Sequence, residues 1–186
     1  MDYSTSVQYL YALGNEYKTL KLGLERISKL LEALGNPHLA TPCVHVAGTN
    51  GKGSTCAMIE AALRAAGKRT GLYTSPHLQE PTERIRIGGL PVSRERFVAA
   101  FERVRDTATE VLGQQGTYFE TITAMGFLLF REEALDMAVI ETGLGGRLDA
   151  TNVVRPRLSV ITPIDYDHQT WLGNTIEAIA KEKAEF

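Results

Sequence analysis

One stretch of the chain, Val44-His45-Val46-Ala47-Gly48-Thr49-Asn50-Gly51-Lys52-Gly53-Ser54-Thr55, carries the residue types needed to grip a polyphosphate. An apolar, β-branched run stops at a glycine and crosses a loop of glycines, a lysine and hydroxyls. It then enters Cys56-Ala57-Met58-Ile59-Glu60-Ala61-Ala62-Leu63, which reads as a helix. Glycines let successive backbone N–H groups converge on phosphate oxygens, and a helix N-terminus adds favourable partial charge. Gly48, Thr49, Asn50, Gly51, Lys52, Gly53 and Ser54 are therefore the expected nucleotide cradle. Lys52 is placed to reach the terminal phosphates, and the hydroxyl of Ser54 or Thr55 to coordinate magnesium. The match to the general phosphate-loop pattern is imperfect. Val46 stands where its first glycine would fall, and Gly53 separates Lys52 from Ser54.

The elements that must position this loop follow from periodicity. A short helix is expected over residues 3–13. Leu20, Leu24, Ile27, Leu31 and Leu34 step at helical spacing, and Gly35-Asn36-Pro37 ends that stripe. A strand over residues 42–47 leads into the loop, and the next helix runs to Gly67. Thr70-Gly71-Leu72-Tyr73-Thr74 reads as a second strand. The segment from 75 to 91 after it holds a small hairpin around Gly88-Gly89 and forms a candidate substrate-facing loop. Ser93 caps a helix reaching Leu112, and residues 118–134 form a mostly buried one. Met137-Ala138-Val139-Ile140 and Leu158-Ser159-Val160-Ile161 are further strands, and a last helix begins near Thr175. Strands alternating with helices predict an α/β fold with a mostly parallel sheet covered on both faces.

In such a sheet ligands sit beyond the carboxyl ends of the strands. The phosphate loop, Ser75, Glu141 and His168 each follow a strand and are expected to converge on one rim as a magnesium–nucleotide site. Taken singly, each residue has a structural alternative. Glu141 also reads as a helix-capping carboxylate, Ser75 as a turn serine, His168 as a hydrogen-bonded loop histidine and Lys183 as a solvated helix lysine.

Composition excludes several classes. The 186 residues are 44% hydrophobic and 23% charged, ordinary for one globular domain, with a formal charge of −2 and no like-charge block. No nucleic-acid footprint follows from that balance. Cys43 and Cys56 flank the loop without metal-ligand spacing, and no apolar run approaches a membrane span. The expectation is a cytoplasmic protein with no membrane partner.

Several motifs occur together and in order: the loop just described, Tyr73-Thr74-Ser75-Pro76-His77-Leu78, Thr82-Glu83-Arg84-Ile85, Glu141-Thr142-Gly143-Leu144-Gly145-Gly146-Arg147-Leu148-Asp149-Ala150-Thr151-Asn152, Asp167-His168, Trp171-Leu172-Gly173 and Glu182-Lys183-Ala184. Together they resemble folylpolyglutamate synthase, including the bacterial bifunctional enzyme that is also dihydrofolate synthase, within the Mur ligase superfamily. The resemblance implies a P-loop NTPase-like fold of the Mur ligase central-domain type, occupying residues 1–186, with the carboxy-terminal ligase domain absent. It implies that ATP phosphorylates a folate or dihydropteroate carboxylate and that the amine of L-glutamate attacks the acyl phosphate. Lys52, Glu141, His168 and Lys183 would be catalytic, and Ser54, Ser75, Glu141 and His168 would look like the Mg2+ ligands. Lys183 aligns with a lysine that the family carries as a carbamate. Leu148, Asp149 and Ala150 match a pteroate-contacting segment, with Leu22, Gly23, Leu24 and Phe119 matching more weakly. The isolated chain is then expected to be incomplete for catalysis. A peptidoglycan-type amino-acid ligase and a non-catalytic nucleotide-binding module are the competing classes. The former would need a separate amino-terminal domain, for which the roughly 40 residues before the first strand are too few.

Overall fold

A computed structural model of the chain describes residues 1–14 and 23–186. Helices α1 (Tyr3–Ala12) and α2 (Glu25–Ala33) precede β1 (Cys43–Ala47), α3 (Lys52–Ala65) and β2 (Thr70–Tyr73). The hairpin β3 (Ile85–Ile87) and β4 (Leu90–Pro91) leads to the long helices α4 (Arg94–Leu112) and α5 (Tyr118–Glu132). The chain continues through β5 (Met137–Glu141), β6 (Leu158–Ile161), α6 (Gln169–Leu172) and α7 (Ile176–Ala184).

The strands form one six-stranded sheet in the order β4-β3-β2-β5-β1-β6. Four strands, β2, β5, β1 and β6, run parallel, and the β3–β4 hairpin adds an antiparallel edge. Helices cover both faces, as the unbroken apolar runs of the central strands require. Alternate side chains of the strands divide between them. Val44, Val46, Leu72 and Val139 pack under α3 with Cys56, while Cys43, Tyr73, Ala138 and Ile140 belong to the larger core with α2, α4 and α5. The α5 helix is nearly buried along its length, and its first turn closes on itself. Glu120 N–H donates to Thr117 Oγ1 at 3.2 Å, and Thr117 N–H donates to the Glu120 carboxylate at 2.8 Å. That carboxylate also pairs with Arg26 of α2 at 2.9 Å.

The expected elements appear with ends shifted by a few residues. The helix after the loop stops at Ala65 rather than Gly67, and the described part of the amphipathic stripe is helical over Glu25–Ala33. Leu20 and Leu22 lie outside the described residues. The one-turn helix α6 was not foreseen, because four residues are too few to show a period.

Candidate active site

The helix α3 starts on an open N-terminus. Its cap residue, Gly51, has φ 80° and no side chain to bond the first-turn amides, so those N–H groups remain available to an anion. The loop before it is anchored from the β6 side. Thr49 N–H donates to Pro163 O at 3.0 Å, the Thr49 hydroxyl to Asp165 O at 3.0 Å, and Thr162 N–H to Ala47 O at 2.9 Å. Gly48 sits at φ 140° against Thr162, and an added Cβ would fall 1.9 Å from Thr162 Oγ1. Gly48→Ala is therefore expected to displace the loop and lower stability by about 2 kcal/mol or more, read by urea unfolding. A variant with wild-type stability and unchanged nucleotide affinity would refute this steric reading.

Two lysines meet at the start of the loop. Lys52 Nζ donates to Gly48 O at 3.0 Å and to Thr49 O at 3.1 Å, while Lys183 Nζ reaches the same Gly48 O at 2.8 Å. Lys183 is 2% exposed, which corrects the solvated-lysine alternative. Burial, with the neighbouring Lys52 charge, pushes its pKa down to about 8, against the weaker opposing pull of Asp167 and Asp149. The amine is thus partly neutral near physiological pH.

Glu141, at the end of β5, is also buried. Its Oε2 accepts the Ser75 N–H at 3.0 Å, and an added Cβ on Gly53 would lie 3.6 Å from that oxygen, so the carboxylate faces the first turn of α3. Burial raises its pKa above the ordinary value, and the Ser75 amide, Lys52 and Arg84 oppose that rise. Glu141, Ser54, Ser75, Gly51, Gly53 and Arg86 line one cavity of about 440 Å³. The Lys52 charge reaches the Glu141 carboxyl, so the carboxylate and the phosphate-loop lysine lie on one side of the molecule. His168 does not line this cavity. It caps α6 in a left-handed conformation, φ 47°, with Nε2 3.4 Å from Asp167 Oδ2. Among the described residues no three His, Cys, Asp or Glu side chains form a cluster able to enclose a metal.

The glycine-rich stretch over 143–152 has a structural purpose that its composition hides. Gly146 lies under the end of α7, where an added Cβ would be 2.9 Å from Glu182 O and 3.0 Å from Lys183 O. Arg147 N–H donates to Glu182 O at 3.0 Å, the Arg147 guanidinium pairs with the Glu182 carboxylate at 2.8 Å, and Asn152 Nδ2 donates to Glu185 O at 3.1 Å. This loop holds the helix that delivers Lys183.

Asp149 is turned into that loop. Its Oδ2 accepts N–H groups from Gly143 at 2.9 Å and Leu144 at 2.8 Å, and its Oδ1 accepts from Thr151 N–H at 2.9 Å and from the Thr151 hydroxyl. The carboxylate is 5% exposed and fully engaged, so it shapes its own segment. Leu148 is half-buried and Ala150 buried beside it. The Phe119 ring packs so closely on Gly143 that an added Cβ there would lie 2.4 Å from Phe119 Cζ. Gly23 and Leu24 sit at the entry to α2, and Leu22 lies outside the described residues.

Two further groups escaped the sequence reading. His45, at the centre of β1 and fully buried, places Nε2 2.8 Å from Thr151 Oγ1, which continues to Asp149. A lone polar residue within an apolar strand was the available signal. Burial holds its pKa down to about 4. The folded chain therefore binds fewer protons than the unfolded chain between pH 6.5 and 4, and stability is lost as pH falls through that window, by up to about 3 kcal/mol from this group. Burial of Glu141 and Asp149 raises their carboxyls and acts in the opposite sense on acidification. Urea unfolding of wild type and His45→Leu at pH 7 and pH 4.5 isolates the histidine, and equal acid losses in both would contradict its assignment.

The second group is a ladder around the 75–84 loop. Arg84, 3% exposed, donates from Nε to His77 Nδ1 at 2.7 Å. In a neutral imidazole that leaves Nε2–H to donate to Tyr11 Oη at 3.0 Å. Tyr11 stacks on Tyr118 with ring centroids 6.0 Å apart, and the Arg84 guanidinium lies 5.2 Å above the Tyr118 ring. Glu83 gathers the N–H groups of Leu78, Gln79 and Glu80 at 2.9–3.0 Å, which fixes the loop that borders the cavity.

The chain is similar to known proteins. Over 170 residues the chain is 48% identical to the dihydrofolate synthase/folylpolyglutamate synthase of Bacillus subtilis, covering 89% of this chain and 39% of that protein. It is 44% identical over 188 residues to the folylpolyglutamate synthase of Lacticaseibacillus casei, covering 99% of this chain and 44% of that one. The solved structure of Escherichia coli FolC in complex with DHPP and ADP matches with a TM-score of 0.92 at 41% identity, over 100% of this chain and 44% of its own. The chain thus spans less than half the length of each of these relatives. Residues 46–186 match the description of the Mur ligase middle domain, and with that span and the parallel sheet around its phosphate loop the chain belongs to the Mur ligase family.

Proposed function

We propose that this chain is the nucleotide-binding part of a folate ligase that uses ATP to join L-glutamate to a folate or dihydropteroate carboxylate. The observation that carries the reading is the meeting of Lys52 and Lys183 on the Gly48 carbonyl, with Glu141 facing the same helix start. Two cationic groups, open amides and a buried carboxylate form a site suited to moving a phosphoryl group, where positioning and charge neutralisation supply most of the catalysis. The resemblance to folylpolyglutamate synthases supports the choice of substrate.

Glu141 has no ion-pair partner among the described residues, and a buried carboxylate of that kind suits a divalent cation with oxygen ligands. In this reading Ser54, Ser75 and Glu141, which line one cavity, would hold Mg2+, which would supply charge neutralisation on the transferred phosphoryl group; His168, placed outside that cavity beside Asp167, would have to move to join them. The Gly48–Ser54 amides and Lys52 hold the ATP phosphates. The substrate carboxylate takes the γ-phosphoryl group, ADP departs, and the glutamate amine displaces phosphate from the acyl phosphate. Lys183 fits the carbamate role because its lowered pKa leaves a nucleophilic neutral amine able to add carbon dioxide, converting a buried cation into an anionic oxygen donor. Phe119, Leu148, Asp149, Ala150, Gly23 and Leu24 would border the pterin, as would Leu22, which lies outside the described residues. Buried free thiols at Cys43 and Cys56 suit a cytoplasmic setting.

Calorimetry of the chain with Mg-ATP and with dihydropteroate tests the proposal. Binding of both is expected, and 13C-bicarbonate labelling is expected to give a carbamate resonance lost in Lys183→Met. Nucleotide binding without pterin binding would point to another amino-acid ligase, and neither binding would leave a non-catalytic module.

A further inference from the structure

The end of the sheet away from the phosphate loop carries a second concave surface. Pro42 precedes β1 and Arg157 precedes β6, so this surface lies at the amino ends of strands whose carboxyl ends carry the loop, a strand length of about 15 Å away. A cavity of about 300 Å³ opens there, lined chiefly by His38, Thr41, Pro42, Arg155 and Arg157. No carboxylate lines it.

Its framework is well held. Arg157 N–H donates to Cys43 O at 2.8 Å, and Ala138 N–H donates to Pro42 O at 2.9 Å, so both walls are fastened to central strands. Arg155 and Arg157 flank Pro156, and both line the cavity. Both are exposed, and neither has a carboxylate partner among the described residues, whereas Arg26, Arg64, Arg69, Arg94, Arg96, Arg103, Arg105 and Arg147 all do. Two uncompensated guanidinium groups at one cavity, in a chain of net charge −2, form a local positive site that their own fold does not neutralise. Each guanidinium offers parallel N–H donors matched to pairs of oxygens on phosphate, and Thr41 adds a hydroxyl-bearing residue to the lining. The charge of Arg155 reaches His38 and, after burial, helps to lower its pKa, so the imidazole stays neutral and reports the local field.

We infer that this cavity is an anion site, separate from the nucleotide site, that takes a phosphate dianion, free or as a monoester, between Arg155, Arg157 and Thr41. The site is independent of the folate-ligase reading, since it uses none of the residues on the catalytic rim.

The test is a 15N-NMR titration of the 186-residue chain with inorganic phosphate at constant ionic strength, with phenyl phosphate as the monoester arm. A saturable shift is expected at the amides of 39–41, Arg155 and Arg157, with an affinity distinct from that at amides 48–54. In Arg155→Gln/Arg157→Gln that affinity is expected to fall roughly tenfold or more, while the response at 48–54 stays as in wild type. Arg157→Lys, which keeps the charge but loses the fork, is expected to fall between the two. Tighter binding of phenyl phosphate would identify a monoester ligand, and preference for inorganic phosphate a free anion. The inference is overturned if the shifts at 39–41, Arg155 and Arg157 do not saturate, if they persist unchanged in the double variant, or if they follow occupancy at 48–54.

Discussion

Under the proposed function, Glu141→Gln is expected to cut the rate of glutamylated product formation, assayed in a folate ligase carrying this domain, roughly a thousandfold, with the fold intact. The amide keeps an acceptor for the Ser75 N–H, which the carboxylate now bonds at 3.0 Å, and it fills the same volume. It removes a charge whose burial the protein already resists, as the raised pKa records. Unfolding midpoints should therefore match or slightly exceed wild type. The loss should fall on the magnesium-dependent part of nucleotide binding and on turnover, because Glu141 is the buried anion facing the first turn of α3. In the 186-residue chain the same change should abolish the increase in ATP affinity that magnesium produces. Turnover close to wild type in the glutamine variant would remove Glu141 from the reaction and with it the proposed metal site.

Lys183→Met is expected to move stability and function in opposite directions. The ammonium is 2% exposed, and its pKa of about 8 against an ordinary 10.5 means that the folded chain resists the charged form. With the folded pKa depressed, the unfolded chain binds more protons between about pH 8 and 10.5, so stability should rise with pH across that window. Methionine fills a similar volume without the charge, and Lys52 continues to satisfy the Gly48 carbonyl at 3.0 Å. The variant should therefore gain on the order of 1–2 kcal/mol at pH 7 and lose the alkaline rise, while ligation falls by two orders of magnitude or more. Urea unfolding across pH 7–10.5 beside a product assay checks both halves. A destabilised variant with an unchanged pH slope would mean that Lys183 is there for packing. A stabilised variant with full activity would mean that the buried amine has no part in the chemistry.

Much of the frame was legible in the residues. The continuous apolar runs of β1 and β5 predicted strands buried on both faces, and the cap at Ser93 and the expected helix starts at residue 118 and near Thr175 are ones the structure reproduces. The glycine loop and its lysine were visible because a phosphate cradle is local, with backbone amides and one side chain drawn from a few consecutive residues. Glu141 and Ser75 could be placed on the same rim because parallel strands bring their carboxyl ends together whatever the connections between them.

Local pattern failed where a residue's environment is set by a distant partner. Lys183 has the neighbours of a surface lysine in sequence, Lys181 and Glu182, yet the close approach of Gly146 to α7 pulls its amine into the loop at Gly48. Asp149 reads from the motif as a ligand contact, but four donors from its own loop claim its oxygens. His45, Arg84 and the Tyr11–His77 pair acquire meaning only through partners tens of residues away. The sequence by itself determined the mostly parallel sheet, the phosphate loop and the rim on which the candidate site lies, because periodicity and backbone geometry act over short range. The tertiary structure alone decided which charges are buried and which hydrogen bonds they make, because desolvation and Coulomb energies depend on distances between segments that no local pattern encodes.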